Sequence, residues 1–266
     1  MLDALYIGAT GMQAQQLNVD TIANNLANVN TNAFKKGTIS FTDLMALEST
    51  RMGTAGRSSL HDPDAVANVA MMGNGVGIAS STKVMDAGGL TQTGGTWDLA
   101  IQGDGFFKVT LADGSTAYTR GGVLQVNADG QLTTQSGLML QPGISIPANA
   151  TAIAVSGDGV ISATLPNQAK PAQLAQLQLT HFANPTALQA QGDNLYVATE
   201  AAGQPAQAIP GQDGLGTIQQ GYLEGSNVKM VDEMVNLIVA QRAYEASSKI
   251  VQASDEMMQL VNNLRR

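Results

Sequence analysis

The feature that most constrains this chain is its pair of helix-period stretches, one at each end, bracketing a middle broken into short, turn-separated segments. Over residues 2–29, Leu2, Leu5, Ala9, Met12, Gln16, Val19, Ala23 and Leu26 follow alternating steps of three and four. Ile22 and Val29 widen that stripe. The spacing keeps apolar groups on one helical face, and a seven-residue repeat favours a supercoiled seam. Over residues 228–264, Val231, Met234, Val235 and Ile238 lead into Ala246, Ile250, Ala253, Met257, Leu260 and Leu264 at the same spacing. Asp3 is placed to cap the first helix, and Ser226 or Asn227 the second. Asp232 and Glu233 come early in the second helix and Arg265 and Arg266 close it, as the helix dipole prefers. At 1.5 Å per residue such helices are rods of roughly 40 and 55 Å. Both stripes contain Ala, Gln and Ser positions, so an isolated pair would be weak. The ends are expected to be poorly ordered in a free monomer and to order on association. The competing expectation is two ordinary helices packed on a globular core. Candidate subunit-interface residues are Leu5, Met12, Val19, Ile22 and Leu26 on the first helix, and Val231, Met234, Ile238, Ile250, Met257 and Leu260 on the second.

The middle reads as β-structure. Segments 76–83, 99–102, 106–111, 117–119 and 123–127 are short strand patterns separated by Gly or Asp-Gly turns, and 174–182 and 195–199 continue the pattern. Asp113-Gly114, Asp129-Gly130 and Asp158-Gly159 are hairpin turns, the last between 152–155 and 160–163. Residues 39–47 show no clear period, and 50–68 read as an extended loop. The expected fold class is α+β: long N- and C-terminal α-helices packed as a coiled-coil-like pair, with a central, mainly antiparallel β-domain. The expected division is 1–30 with 227–266 as a discontinuous helical domain, 31–72 as a linking segment, and 73–226 as the β-rich domain.

Composition narrows the function classes. The 266 residues carry a formal charge of −8, from 21 acidic against 13 basic side chains, which argues against nucleic acid as a partner. No window approaches 18 apolar residues, so no membrane insertion is expected. The N-terminus lacks a basic stretch followed by an apolar run, so no cleavable signal of the usual kind is expected. With no cysteine, disulfides and thiolate metal sites are excluded. Aromatic content is 4%, which points away from a dense aromatic core.

A search for catalytic chemistry finds little. His61 falls in the loop and His181 in a strand pattern, neither with another histidine nearby. The Gly73-Asn74-Gly75-Val76-Gly77 run lacks the Lys-Ser/Thr ending of a phosphate loop and reads as a turn entering a strand. Asp98, Asp104, Asp113 and Asp129 could supply a glycosidase-like carboxylate pair. Three of them adjoin glycine where Asp stabilises turns. Trp97, the sole tryptophan, makes a poor aromatic platform for an adhesive domain. Asparagines 18, 24, 25, 28, 30 and 32 suggest either a solvated face with a C-cap or an inter-subunit or channel-lining surface. No catalytic, cofactor-binding or metal-ligating residue is assigned, and no cofactor is expected.

NNLANVNTNAFK at 24–35, with Asn24, Asn25, Leu26, Asn28, Thr31, Phe34 and Lys35, resembles the N-terminal signature of the bacterial flagellar axial family of rod, hook and hook-junction proteins. GYLEGSNV at 221–228, with Ser226 and Asn227, is similar to that family's C-terminal block, as is QRAYEASSK at 241–249, with Gln241, Arg242 and Tyr244. DLAIQGDGFF at 98–107, with Gly105 and Phe106, and AYTRGG at 117–122, with Tyr118 and Arg120, match its centre. Length, the loop after Lys36 and the IPANA run at 146–150 look most like the distal rod type, with the similar-sized proximal-rod paralogue as the alternative. Ala33 stands where the family commonly has Gly, which questions a left-handed turn there. Gly122-Val123-Leu124 also departs from the usual pattern.

The resemblance implies a structural subunit, not an enzyme. It would leave the cell by the flagellar type III export apparatus without a cleavable signal peptide. It would polymerise with itself into a hollow helical shaft across the periplasm, in the basal body. The shaft would transmit torque from motor to hook and conduct exported subunits. Implied partners are proximal rod proteins, hook protein, the surrounding P- and L-ring proteins, the rod cap and the export apparatus. Terminal helices would form the inner tube, the segment after Lys36 would bridge neighbours, and the β-domain would lie outside. The alternative from a different class is a periplasmic glycan-active enzyme built on Asp98 or Asp104.

Overall fold

The computed structural model describes residues 2–47, 71–147, 149–166 and 170–264. The loop expected at 50–68, with His61, and the closing Arg265 and Arg266 lie outside the described residues. Helix α1 spans Leu2–Ala27 and helix α2 spans Met230–Leu264. Strands β1 (Gly37–Leu47) and β2 (Met71–Lys83) pair as a two-stranded sheet. Residues 39–47, which show no period in the sequence, are therefore strand, and β2 begins before the expected residue 76. The Gly73–Gly77 run, expected as a turn entering a strand, instead lies inside β2.

Short strands fill the rest: β3 (Leu90–Gln92), β4 (Leu99–Gln102), β5 (Phe107–Thr110), β6 (Thr116–Thr119), β7 (Leu124–Val126), β8 (Leu132–Thr134) and β9 (Met139–Gln141). They continue with β10 (Ala152–Val155), β11 (Val160–Thr164), β12 (Ala172–Gln176), β13 (Leu179–His181), β14 (Gln189–Gly192) and β15 (Leu195–Val197). The last are β16 (Ala206–Ala208), β17 (Thr217–Gln220) and β18 (Tyr222–Glu224). The single strand expected at 174–182 is thus two, β12 and β13. The fold is α+β, with two terminal helices and a mainly antiparallel β-region.

The chain forms two compact units. The first comprises residues within Met1–Ala23, Thr38–Ser81 and Met234–Arg266. Here α1 and α2 come together through small residues. A Cβ added to Gly8 would stand 2.7 Å from Val251 Cγ2, and one on Gly11 would meet Ser247 Oγ at 3.4 Å. Ala14, Ala240 and Ser254 are buried. Of the α1 stripe, Ile22 is buried and Leu5, Met12 and Val19 are half-buried. Gly75, at φ +103°, leaves no room for a side chain against the Thr10 hydroxyl.

The second unit comprises Asn24–Gly37 and Thr82–Glu233. Its largest sheet has seven strands in the order β14-β15-β6-β5-β9-β8-β7. The three Asp-Gly turns join β5 to β6, β7 to β8 and β10 to β11, with Gly114, Gly130 and Gly159 all at positive φ. That is the backbone state such turns require. Inward residues such as Leu99, Ile101, Phe107, Val109, Leu140 and Ile161 form a largely aliphatic core. The few aromatics are not scattered: Phe106, Tyr118, Phe182 and Tyr196 gather in a second cluster with edge-to-face rings 4.8–6.2 Å apart. Gly122 is required by packing, because a Cβ there would overlap the Leu99 carbonyl, which accepts no displacement without breaking β4. Gly122→Ala is expected to lower the stability of the β-unit by about 3 kcal/mol or more in urea unfolding, through overpacking against backbone. An unchanged midpoint would show that the 120–124 turn has room to move.

Candidate functional site: a buried charge cluster and an uncovered helix

The segment after α1 is organised by its own polar side chains. Asn28 Nδ2 donates to the Asn24 carbonyl at 2.9 Å, beside the Asn28 backbone amide, which donates to the same oxygen at 3.2 Å. Thr31 then hydrogen-bonds Asn28 Oδ1, and Ala33 turns the chain at φ 56°. Ala33 therefore adopts the left-handed state despite its Cβ. It is fully buried there, and its amide donates to the Glu224 carbonyl at 2.8 Å, which helps offset the strain.

That turn delivers Lys35 into the interior. Its Nζ lies 2.7 Å from Glu224 Oε1 and donates to the Asp86 carbonyl at 2.5 Å, with both charged side chains fully buried. The Gly88 amide donates to the same Oε1 at 2.9 Å. On the other side, Arg120 Nε donates to Glu224 Oε2 at 2.7 Å, while its Nη atoms donate to the Gly105 and Gly103 carbonyls at 3.0 and 2.8 Å. The guanidinium also stands 5.8 Å from the centre of the Phe106 ring. One carboxylate thus holds two cations. Burial, the strongest influence, pulls the Lys35 ammonium below the usual lysine range, and Glu224 opposes that pull.

Beside this cluster is a second set of polar contacts. Asn25 is buried and pairs twice with Gly37, accepting from its amide at 2.8 Å and donating to its carbonyl at 2.9 Å. The same amide nitrogen donates to Glu233 Oε2 at 3.2 Å. Lys36 Nζ lies 2.5 Å from Glu233 Oε1. Asn227 accepts from the Lys36 amide at 2.7 Å and donates to the Val84 carbonyl at 2.9 Å. Neither expected cap of α2 acts as one: Asn227 is committed to these strands, and the Ser226 hydroxyl accepts from the Val228 amide. Among the six clustered asparagines, Asn25 is an interior clasp, a role outside both expectations.

Sequence reasoning named Asn25, Lys35, Arg120 and Asn227 as motif residues, and the structure brings all four into these contacts. Phe34 lies under the Lys83 ammonium at 4.4 Å, and Gly105, Phe106 and Tyr118 surround Arg120 or its ring partner. Gln241, Arg242 and Tyr244 are elsewhere, exposed on α2, with Arg242 paired to Glu245. Glu224, Lys36 and Gly88 were not singled out, and Glu233 was read only as an early acid of the second helix. Glu224 had one legible signal, a lone acid between Leu223 and Gly225 in a chain with only 13% charged residues.

The candidate interface on α2 is largely uncovered. Val231, Met234, Ile238, Ile250, Met257 and Leu260 are all exposed, Ile238 by 56% and Leu260 by 62%. Val235, Val239, Val261 and Leu264 extend this surface. On α1, Tyr6, Ile7 and Leu17 are exposed as well. The only large apolar side chain exposed on the described β-strands from β3 to β18 is Met139.

A catalytic arrangement does not form around the aspartates. Asp98 accepts from the Thr93 hydroxyl at 2.5 Å, and Asp104 lines, with Arg120 and His181, a cavity of about 70 Å³, room for little more than water. Trp97 packs against the core. A larger furrow of 340 Å³ is lined by neutral groups including Asn30, Thr31, Asn32 and Asn194, and its one acid, Asp193, is bonded to Ser136. Among the described residues no cluster of three or more His, Asp or Glu could hold a metal ion.

Glu224→Gln is expected to destabilise the β-unit by about 3–5 kcal/mol in urea unfolding, since it leaves two buried cations without their carboxylate. A loss under about 1 kcal/mol would mean that water reaches the cluster. Burial, and next the Glu224 charge, push the Tyr196 phenol up from 10.0 to about 12. The unfolded phenol loses its proton first, so the stabilising contribution is full below pH 10 and is lost as pH rises towards 12. Tyr196→Phe should flatten that alkaline fall in stability, and an equal fall in both proteins would assign it to other groups.

Comparison with known proteins gives a consistent result. Residues 5–35 match the flagella basal body rod protein family, 100–163 the flagellar hook protein FlgE/F/G D1 domain, and 219–264 the flagellar basal body rod FlgEFG protein C-terminal family. The chain is 44% identical over 264 residues to the flagellar basal-body rod protein FlgG of Buchnera aphidicola subsp. Acyrthosiphon pisum, covering 99% of this chain and 100% of the relative. It is 43% identical to FlgG of Caulobacter vibrioides over the same shares, and 36% identical to that of Bacillus subtilis with both chains fully covered. FlgF of Caulobacter vibrioides is 34% identical over 97% of this chain and 95% of the relative. The clasped asparagines, the buried ion cluster and the helical ends fall within these matched blocks, and the chain belongs to the flagellar basal-body rod family, whose members are structural proteins and not known as enzymes.

Proposed function

We propose that this chain is the distal-rod subunit, polymerising into a hollow helical drive shaft that carries torque from motor to hook and conducts exported subunits. The observation that carries this reading is the segregation of exposed apolar surface. It concentrates on the terminal helices, above all on α2, with Phe41, Leu44 and Ile78 on β1 and β2, and among the described strands from β3 to β18 only Met139 adds to it. A helix with apolar groups on its outer surfaces is stabilised when copies surround it, and head-to-tail contacts that do not close generate a filament. The close approach at Gly8 and Gly11 supports a coiled-coil-like pairing of α1 and α2 within each subunit. In this reading residues 1–30 and 227–266 build the inner tube, 31–72 bridge neighbours, and 73–226 form the outer layer.

Of these two rod proteins of one organism, the chain is more similar to FlgG than to FlgF, 43% against 34% identical. The partners are proximal rod proteins, hook protein, the P- and L-ring proteins, the rod cap and the export apparatus. No described helix is long and apolar enough to cross a membrane. Ile238→Asp places a charge on an exposed position, so the monomer should keep its fold while polymerisation and motility are lost. Electron cryo-microscopy of concentrated protein, with a motility assay, reads both. A motile Ile238→Asp strain with normal rods would overturn the helical-tube arrangement.

A further inference from the structure

Four of the twelve methionines lie on α2, and all four are open to solvent in the single subunit: Met230 by 48%, Met234 by 50%, Met257 by 46% and Met258 by 37%. They form two pairs, Met230 and Met234 near the start of the helix beside the exposed Val231, Val235 and Ile238, and Met257 and Met258 near its end beside the exposed Leu260 and Val261. Of the other methionines whose side chains are described, Met12 is half-buried on α1, Met85 is partly buried against the aromatic cluster, and Met139 is exposed on β9. Thioether oxidation follows access, and it replaces a flexible apolar group with a polar, chiral sulfoxide.

We propose that Met230, Met234, Met257 and Met258 are each open to oxidation by peroxide in the unassembled subunit and closed to it by polymerisation. The proposal rests on the assembly reading above. Its substrate class is the hydroperoxide, and hydrogen peroxide is the simplest member. A sulfur lone pair attacks one peroxide oxygen and forms the S–O bond as the O–O bond breaks. The departing hydroxide takes up the remaining proton and leaves as water. The sulfur is oxidised by two electrons and the peroxide is reduced by two, so no further reagent is needed. Each sulfoxide sets a strong acceptor where a neighbouring copy would bury a thioether. Burying it unpaired is costly, so an oxidised subunit is excluded from the growing polymer. Subunits already in place are protected because their sulfurs are covered.

The test uses the purified full chain. Untreated protein is first shown to sediment as polymer above a threshold concentration; failure at that step counts against the assembly reading itself. Monomer and preformed polymer are then treated with hydrogen peroxide, and peptide mass mapping locates the added oxygens. The expected result is oxygen on all four α2 methionines in the monomer and little on them in the polymer, with Met139 oxidised in both. Oxidised monomer should show a threshold raised by roughly tenfold or more, the consequence of a polar group at a contact that otherwise buries thioethers. A variant with all four changed to Leu is compared with itself, treated and untreated, and its threshold should not respond to peroxide. Met139→Leu should leave the response intact. Circular dichroism of oxidised monomer separates loss of contact from loss of fold. Equal oxidation of the four in monomer and polymer, an unchanged threshold after their oxidation, or a peroxide response persisting in the Leu variant would each overturn the proposal.

Discussion

The carboxylate of Glu224 is the contact on which the β-unit's assembly depends. It sits at the end of β18 with no solvent exposure and receives an ammonium from residue 35, a guanidinium from residue 120 and a backbone amide from residue 88. Three segments far apart in the chain therefore converge on the two oxygens of a fourth. Removing these charges from water costs several kcal/mol each, and only complete pairing with good geometry offsets that cost. A partly formed cluster is worse than none, so the segments are held together or not at all. Arg120 extends the same contact to the Gly103 and Gly105 carbonyls, fixing the turn that leads into β5.

Asn25, Lys36, Asn227 and Glu233 do for the chain's turning points what Glu224 does for the interior. Asn25 mimics a strand partner for Gly37, so the last turn of α1 is tied to the first residue of β1. Glu233, in the first turn of α2, joins the same group through Asn25 and Lys36. The inner ends of both helices are thereby fixed by hydrogen bonds and an ion pair. The rest of α2 lacks comparable polar contacts, and many of its Val, Ile, Met and Leu side chains are exposed.

Much of the fold was legible. Three-and-four spacing located both helices to within two or three residues at each end, and Asp-Gly pairs located three hairpins, because those signals are local. Other features depended on partners distant in sequence. Residues 39–47 have no strand period, yet they form β1 because β2 is available to pair with them. Ala33 was read as arguing against a left-handed turn, whereas its buried amide bond to Glu224 holds it there. Asn227 had the residue type and place of a helix cap but was drawn to Lys36 and Val84 instead. Gly88 carried no local signal, and Glu233 carried only that of an acid in a helix's first turn, since its contacts with Asn25 and Lys36 lie in what faces it.

By itself the sequence determined the α+β class, the helices at both extremities, the absence of disulfides and, through blocks at both ends and the centre, the resemblance to the flagellar axial proteins. These follow from periodicity, turn chemistry and composition, which neighbouring residues specify. Only the tertiary structure decided which polar residues are interior and which apolar ones are left outside. Lys35, Glu224 and Asn25 look like surface residues in isolation, and Ile238 and Leu260 look like core. Burial is settled by which segments meet across the fold, and a charge is stable inside only where its partners are brought to it.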